Sequence, residues 1–165
     1  MTDHTPLPPD QLGAYLVLSE VSSLIEHAVE QQLRDAGLTV PQFQILARLS
    51  GAPATQLRMT DLADGLVYSR SGLTYQAGQL EKAGLVTRTP GAVDERSVTV
   101  TLTPAGRAAL DRAMPGHVEV VRRLLLDALT PDDVAAIADI LGRVRDRMRA
   151  APPRSAAARP PRRRR

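Results

Sequence analysis

The sequence predicts a mainly α-helical chain that carries one small antiparallel β-hairpin, and three observations lead there. Apolar residues recur at helical spacing in six separate stretches. The period falls to two only between Val86 and Leu102. Aromatic residues make up 2% of the chain, with Tyr three times, Phe once and Trp absent, so the core must be built from Leu, Val, Ile and Ala, a composition suited to helix packing. At 165 residues the chain can form one domain with its own core, or a small domain plus arms through which two copies meet.

Residues 1–9 hold three prolines and no periodicity, and a flexible N-terminal arm is expected there. The first helix is predicted over 10–36. Val17, Val21, Leu24 and Ala28 repeat on one face, Leu12, Leu16, Ile25 and Val29 widen that stripe, and Gly37 ends it. A stripe so long and broad needs more than one partner. Thr39 then caps a second helix with Pro41 in its first turn, where a missing N–H does no harm; Phe43, Leu46, Ala47 and Leu49 form its inner face, and Gly51-Ala52-Pro53 breaks it.

Thr60 is expected to cap a short third helix with Leu62, Ala63 and Leu66 inward. Ser69 opens a fourth that runs to about Ala83 and stops at Gly84. Its buried stripe is Leu73, Ala77 and Leu80, which leaves Ser71, Tyr75, Gly78 and Lys82, with Gln79 beside them, on a small, polar outer face. Val86–Arg88 and Ser97–Leu102 then alternate as two strands around the turn-rich loop 89–96, a hairpin with a projecting tip. Thr103-Pro104 starts a fifth helix, which Pro115-Gly116 is expected to kink or divide. Thr130-Pro131 starts the last, striped by Val134, Ile137, Leu141, Val144 and Met148.

The net charge of +3 is a product of the tail. Residues 151–165 hold six Arg and no acid, which leaves fifteen basic against eighteen acidic groups in residues 1–150 and a net charge of −3 there. Any case for nucleic acid therefore rests on local pattern. Cysteine is absent, which excludes disulfides, thiolate metal sites and thiol redox sensing. The three His are scattered without metal spacing, and no motif assembles a Ser, a His and an acid, so neither a metal, a cofactor nor an enzyme is expected. No signal peptide and no run of about 18 consecutive apolar residues is evident, so a cytoplasmic protein without a membrane partner is expected.

A short helix, a turn, a second helix with a polar outer face and an immediate hairpin form the organisation of a winged helix-turn-helix. The second helix can enter a major groove while the preceding helix crosses the phosphate backbone. The segment Tyr68-Ser69-Arg70-Ser71-Gly72-Leu73-Thr74, followed by Leu80-Glu81-Lys82-Ala83-Gly84-Leu85-Val86, Asp94-Glu95-Arg96-Ser97 and Leu102-Thr103-Pro104-Ala105-Gly106, resembles the recognition helix and wing of the MarR (multiple antibiotic resistance regulator) family.

That resemblance implies a winged helix-turn-helix over 37–103 and helical dimerisation arms over 10–36 and 104–150, while the composition after Ala150, mostly Ala, Pro and Arg, predicts a disordered Arg/Pro-rich tail over 151–165. It implies phosphate and base contacts from Ser69, Arg70, Ser71 and Thr74, with Arg70 able to bond bidentately, and a minor-groove Arg96 positioned by Asp94. Tyr75 and Gln79 stand where relatives carry further basic residues, and Arg88 is a weaker phosphate-contact candidate. The implied partners are double-stranded DNA, a second copy of the chain and a small aromatic or phenolic effector. The implied function is a repressor that binds a pseudo-palindromic operator as a homodimer and leaves it when the effector binds. The alternatives are a ligand-independent DNA-binding regulator and a winged-helix protein-interaction module.

Overall fold

The computed structural model describes residues 6–66, 69–90 and 97–150. Among these residues six α-helices, α1 (Pro9–Asp35), α2 (Val40–Ser50), α3 (Met59–Gly65), α4 (Arg70–Lys82), α5 (Pro104–Leu124) and α6 (Pro131–Ala150), accompany three short strands, β1 (Gln56–Arg58), β2 (Val86–Pro90) and β3 (Val98–Leu102).

The helix boundaries follow from local chemistry. Thr39 closes a capping box, its hydroxyl accepting from Gln42 N–H while the Gln42 side chain accepts from Thr39 N–H. Thr130 and Asp133 do the same at α6. Gly37 ends α1 with φ +77°, which lets Leu38 N–H reach back to the Leu33 carbonyl. Helix α3 differs from expectation. It begins at Met59, one residue before Thr60, directly after β1, and its cap position is Arg58, whose donor-only side chain cannot accept from the helix N–H groups.

The hairpin is part of a three-stranded antiparallel sheet in the order β1-β3-β2. Leu57 pairs with Val100 on one side of β3, and Arg88 pairs with Val100 on the other. Two consecutive residues with positive φ, Ala54 (51°) and Thr55 (54°), turn the chain sharply into β1.

Pro115 does not divide α5, which is continuous from Pro104 to Leu124. The ring lies on the solvent side of the helix, so its missing N–H leaves no buried carbonyl unpaired. The apolar run that follows does break, into a 3-10 turn at Leu126–Ala128.

One core joins the parts. Leu33 of α1, Ile45, Leu46 and Leu49 of α2, Leu62 of α3, Leu73 and Leu80 of α4, Val86 and Val100 of the sheet and Leu110 of α5 are all buried together. The second half of α1 packs along α5, where Gln32 Nε2 donates to the Ala113 carbonyl at 3.2 Å. The first half of α1 and nearly all of α6 face outward. Leu12, Tyr15, Leu16, Val17, Leu18, Val21 and Leu24 are exposed on α1, and Val134, Ile140, Leu141, Val144 and Met148 on α6. By length and composition α1 could also cross a membrane, but Glu20 and Glu26 interrupt its apolar run and Val29 and Leu33 tie its end into the core.

Candidate nucleic-acid interface

Helix α4 is held from beneath and presents a polar face above. Leu73, Ala77 and Leu80 are buried as the spacing predicts. Ser71, Thr74 and Lys82 are exposed, and Tyr75 stands 63% exposed, a large aromatic on a surface otherwise made of small polar groups. Gln79 is half-buried at the edge of that face.

Ser69 is the cap of α4. Its hydroxyl oxygen accepts from Gly72 N–H at 3.1 Å and lies 3.3 Å from the Ser71 hydroxyl. Two hydroxyls thus sit at the positive end of a helix, where backbone N–H groups favour an anion. A Cβ at Gly72 would stand 3.1 Å from Ser69 Oγ, so a larger residue there would ask the cap to shift by a few tenths of an ångström. Arg70 starts the helix, and its side chain lies outside what the structure describes, as do Asp94 and Arg96 at the hairpin tip.

Arg88 is placed differently from the rest. Its Nε donates to Glu81 Oε2 at 2.8 Å, a second guanidinium nitrogen lies 2.6 Å from the same oxygen, and its backbone N–H donates to Glu81 Oε1 at 3.2 Å. The hydrogen bond from Arg88, with its positive charge, holds the Glu81 carboxyl below the usual range for a glutamate. Sequence reading did not single out Glu81; the one available signal was its place on the flank of α4, seven residues before an arginine within a strand.

The far end of α4 meets the sheet and α5 at one corner. Gly84, with φ +72°, lets Leu85 N–H return to the Leu80 carbonyl. The Thr103 hydroxyl donates to the Gly84 carbonyl at 2.7 Å while its oxygen accepts from Gly106 N–H at 3.0 Å, so one side chain joins the end of α4 to the start of α5. Gly106 is pressed against Leu85. A Cβ there would fall 2.9 Å from the Leu85 carbonyl carbon, closer still to its oxygen, and 2.8 Å from Leu102 Cδ1.

Two grooves flank this framework. One of about 430 Å³ lies between α1 and α2, lined by Glu26, Glu30, Arg34, Thr39, Val40 and Gln44. A smaller one of about 200 Å³ lies between α3, α4 and β3, with Met59, Ala63, Thr74 and Val98 in its walls. Among the described residues no cluster of His, Asp and Glu has the arrangement of a metal site.

Comparison with known proteins agrees with this geometry. Residues 36–97 match the model of the MarR family. The chain is 34% identical over 129 residues to the HTH-type transcriptional regulator PecS of Dickeya dadantii, covering 77% of this chain and 76% of that one. It is 28% identical over 114 residues to the HTH-type transcriptional repressor YetL of Bacillus subtilis, 69% of this chain and 68% of that one. The structure of Sco3205, a MarR family transcriptional regulator from Streptomyces coelicolor in complex with DNA, superposes with a TM-score of 0.83 at 33% identity, covering 87% of this chain and 94% of that one. These relatives are transcriptional regulators and not enzymes.

Proposed function

The chain belongs to the MarR family of transcriptional regulators, and on that premise we propose that it is a cytoplasmic repressor that binds a pseudo-palindromic operator as a homodimer and is released by a small aromatic or phenolic effector. The observation that carries the DNA-binding part is the outer face of α4: a capped helix whose exposed side is polar, with two hydroxyls at its N-terminus and a β-hairpin following directly from its C-terminal end. In this reading Ser69, Arg70, Ser71, Thr74, Tyr75 and Gln79 meet phosphates and base edges in the major groove. Arg96, oriented by Asp94, enters the minor groove.

The dimer reading draws on the arms. Seven large apolar side chains on α1 and five on α6 are exposed, far more contiguous apolar surface than a soluble monomer usually leaves open. Two copies joined there by a two-fold axis would present recognition helices to half-sites roughly 34 Å apart. The effector reading draws on the groove between α1 and α2, where an arm helix meets the winged domain. Its volume suits a single-ring ligand; its Arg34 is paired with Glu30 at 3.1 Å, so a polar group on the ligand would meet that ion pair. A ligand there acts by preferring one spacing of the two recognition helices over the other.

The test is binding of the full-length chain to duplex DNA from upstream of its own coding sequence, beside the variant Arg70→Ala/Arg96→Ala and a version ending at Ala150, at several salt concentrations. The proposal requires that the full-length and shortened chains shift one site and the double variant does not. Binding only by the tail-bearing chain, to any DNA, would overturn it.

A further inference from the structure

We propose that Glu81 is a positioning residue for DNA recognition: by holding Arg88 it fixes the rotation of α4 relative to the first strand of the wing, and it removes Arg88 from the set of phosphate contacts. The inference rests on the DNA-binding reading above.

The geometry supports it in three steps. On a 100° helical wheel with Leu73 at zero, Glu81 falls at about 80°, between the buried stripe and the outer face that centres near Tyr75 and Lys82. From that flank its two oxygens accept two hydrogen bonds from one residue of β2, one from the guanidinium Nε and one from the backbone N–H, and a second guanidinium nitrogen stands 2.6 Å away as an ion pair. A carboxylate bound to the backbone N–H as well as the side chain fixes a position on the strand, where a simple surface ion pair would fix only a side chain. Both partners are partly covered, Arg88 at 30% and Glu81 at 37% side-chain exposure.

The second step is what surrounds the bridge. Between Glu81 and Arg88 the chain reverses through Gly84, and the bond from Glu81 closes that reversal on its open side. Gly78, one turn earlier on α4, lies beside the guanidinium, and a Cβ there would make an ordinary contact 3.9 Å from an Arg88 terminal nitrogen. The bridge therefore runs along the helix flank toward the wing, and the Arg88 charge is met by an acid that its own approach keeps ionised.

The third step is the tolerance of groove recognition. Side-chain tips lie about 5–6 Å from a helix axis, so a rotation of about 20° moves them by roughly 2 Å. Hydrogen bonds to base edges span only about 2.7–3.2 Å, so such a rotation breaks them. Wing and helix must also reach adjacent grooves together, which makes their mutual angle the quantity that Glu81 sets.

The experiment uses the full-length chain and a duplex site that it selects from a random library, with a scrambled duplex as comparison. Titrations at four salt concentrations are made with wild type, Glu81→Gln, Arg88→Gln and the double variant, below the melting temperature of each. The expected result is that each single variant binds the selected site at least about tenfold more weakly, with little change on scrambled DNA and an unchanged salt slope. The double variant should be no worse than either single, as coupled partners require. Should Glu81→Gln fail to fold at the assay temperature, Glu81→Asp, whose shorter arm cannot span to both donors, takes its place with the same expectation.

The proposal is overturned if Arg88→Gln weakens both DNAs and lowers the slope by about 0.9, the signature of one lost phosphate contact. It is also overturned if the Glu81 variant keeps full affinity for the selected site, or if the two single effects add. A wild-type chain that selects no site at all overturns the DNA-binding reading itself, and this inference with it.

Discussion

Replacing Gly106 with alanine tests how tightly the recognition helix is coupled to the long helix that leads to the arms. The added Cβ would lie 2.9 Å from the Leu85 carbonyl carbon and 2.8 Å from Leu102 Cδ1. Carbon pairs are most favourable at about 3.5–4.0 Å, so two backbone segments must separate by at least about 0.6 Å, and by nearer 1 Å to clear the oxygen. The Leu102 side chain can rotate away, whereas the Leu85 carbonyl is fixed by the Thr103 N–H that donates to it at 3.1 Å. Overpacking of this kind costs about 1–3 kcal/mol, and backbone against backbone belongs at the upper end.

Alanine regains about 1 kcal/mol of helix propensity, which leaves a net loss of about 2 kcal/mol and a fall in Tm of about 4–8 °C for a chain of this size. The displacement should also reach the DNA. A shift of about 1 Å where helices pack about 9 Å apart tilts α5 by about 6°, or roughly 3 Å at the far end of a helix of 21 residues. Thermal unfolding followed by circular dichroism and operator titration at 25 °C measure the two effects. An unchanged or raised Tm would refute the packing argument, and a lowered Tm with full operator affinity would refute the coupling.

Three further outcomes are expected. Ser69→Ala removes the cap of α4, should cost about 1 kcal/mol in chemical denaturation, and should weaken operator binding because the hydroxyl pair at the helix start is lost. Gly78→Ala meets nothing closer than 3.9 Å in the protein, so it should stabilise the fold by about 0.5–1 kcal/mol; a simultaneous loss of operator affinity would show that DNA approaches this point of the helix closely. His117 is partly buried with its ring 4.6 Å from that of Phe43, and burial pushes its pKa below the usual histidine value of about 6.5. A group of this kind takes up its proton more readily when unfolded, so its contribution is complete above about 6.5 and is lost as pH falls from there through the lower folded value. His117→Phe should flatten the stability profile in that window; an identical profile for wild type and variant would exclude His117 as its source.

Much of this architecture was legible because helix ends advertise themselves. Thr39, Ser69, Thr103 and Thr130 each stand where the next turn presents unpaired N–H groups, and each caps the helix expected of it. The buried stripe of α4 followed from spacing alone. Strand β1 did not, since three residues are too few to show a period and Gln56-Leu57-Arg58 becomes a strand only by pairing with β3. The same pairing explains why Thr60 misled: Arg58 is extended by the sheet, and the helix follows it directly. Pro115 misled in the opposite direction, because punctuation by proline is overridden when the lost bond faces solvent. The Glu81–Arg88 bridge was out of reach for a different reason. It depends on the reversal at Gly84 bringing a helix flank onto a strand, a distance in space that seven residues of sequence do not reveal.

The division of α1 into a half that packs on α5 and a half that touches little of its own chain has a consequence for how the molecule melts. Amide protons on residues up to about Val21 have no tertiary burial to protect them in a single copy, while those near Val29 and Leu33 share the protection of the core. Where two copies join through these arms as proposed, hydrogen exchange along this one helix should show a gradient whose outer part depends on protein concentration and whose inner part does not. On that proposal dilution would loosen the outer turns long before it disturbed the winged domain, although a single unbroken helix runs through both.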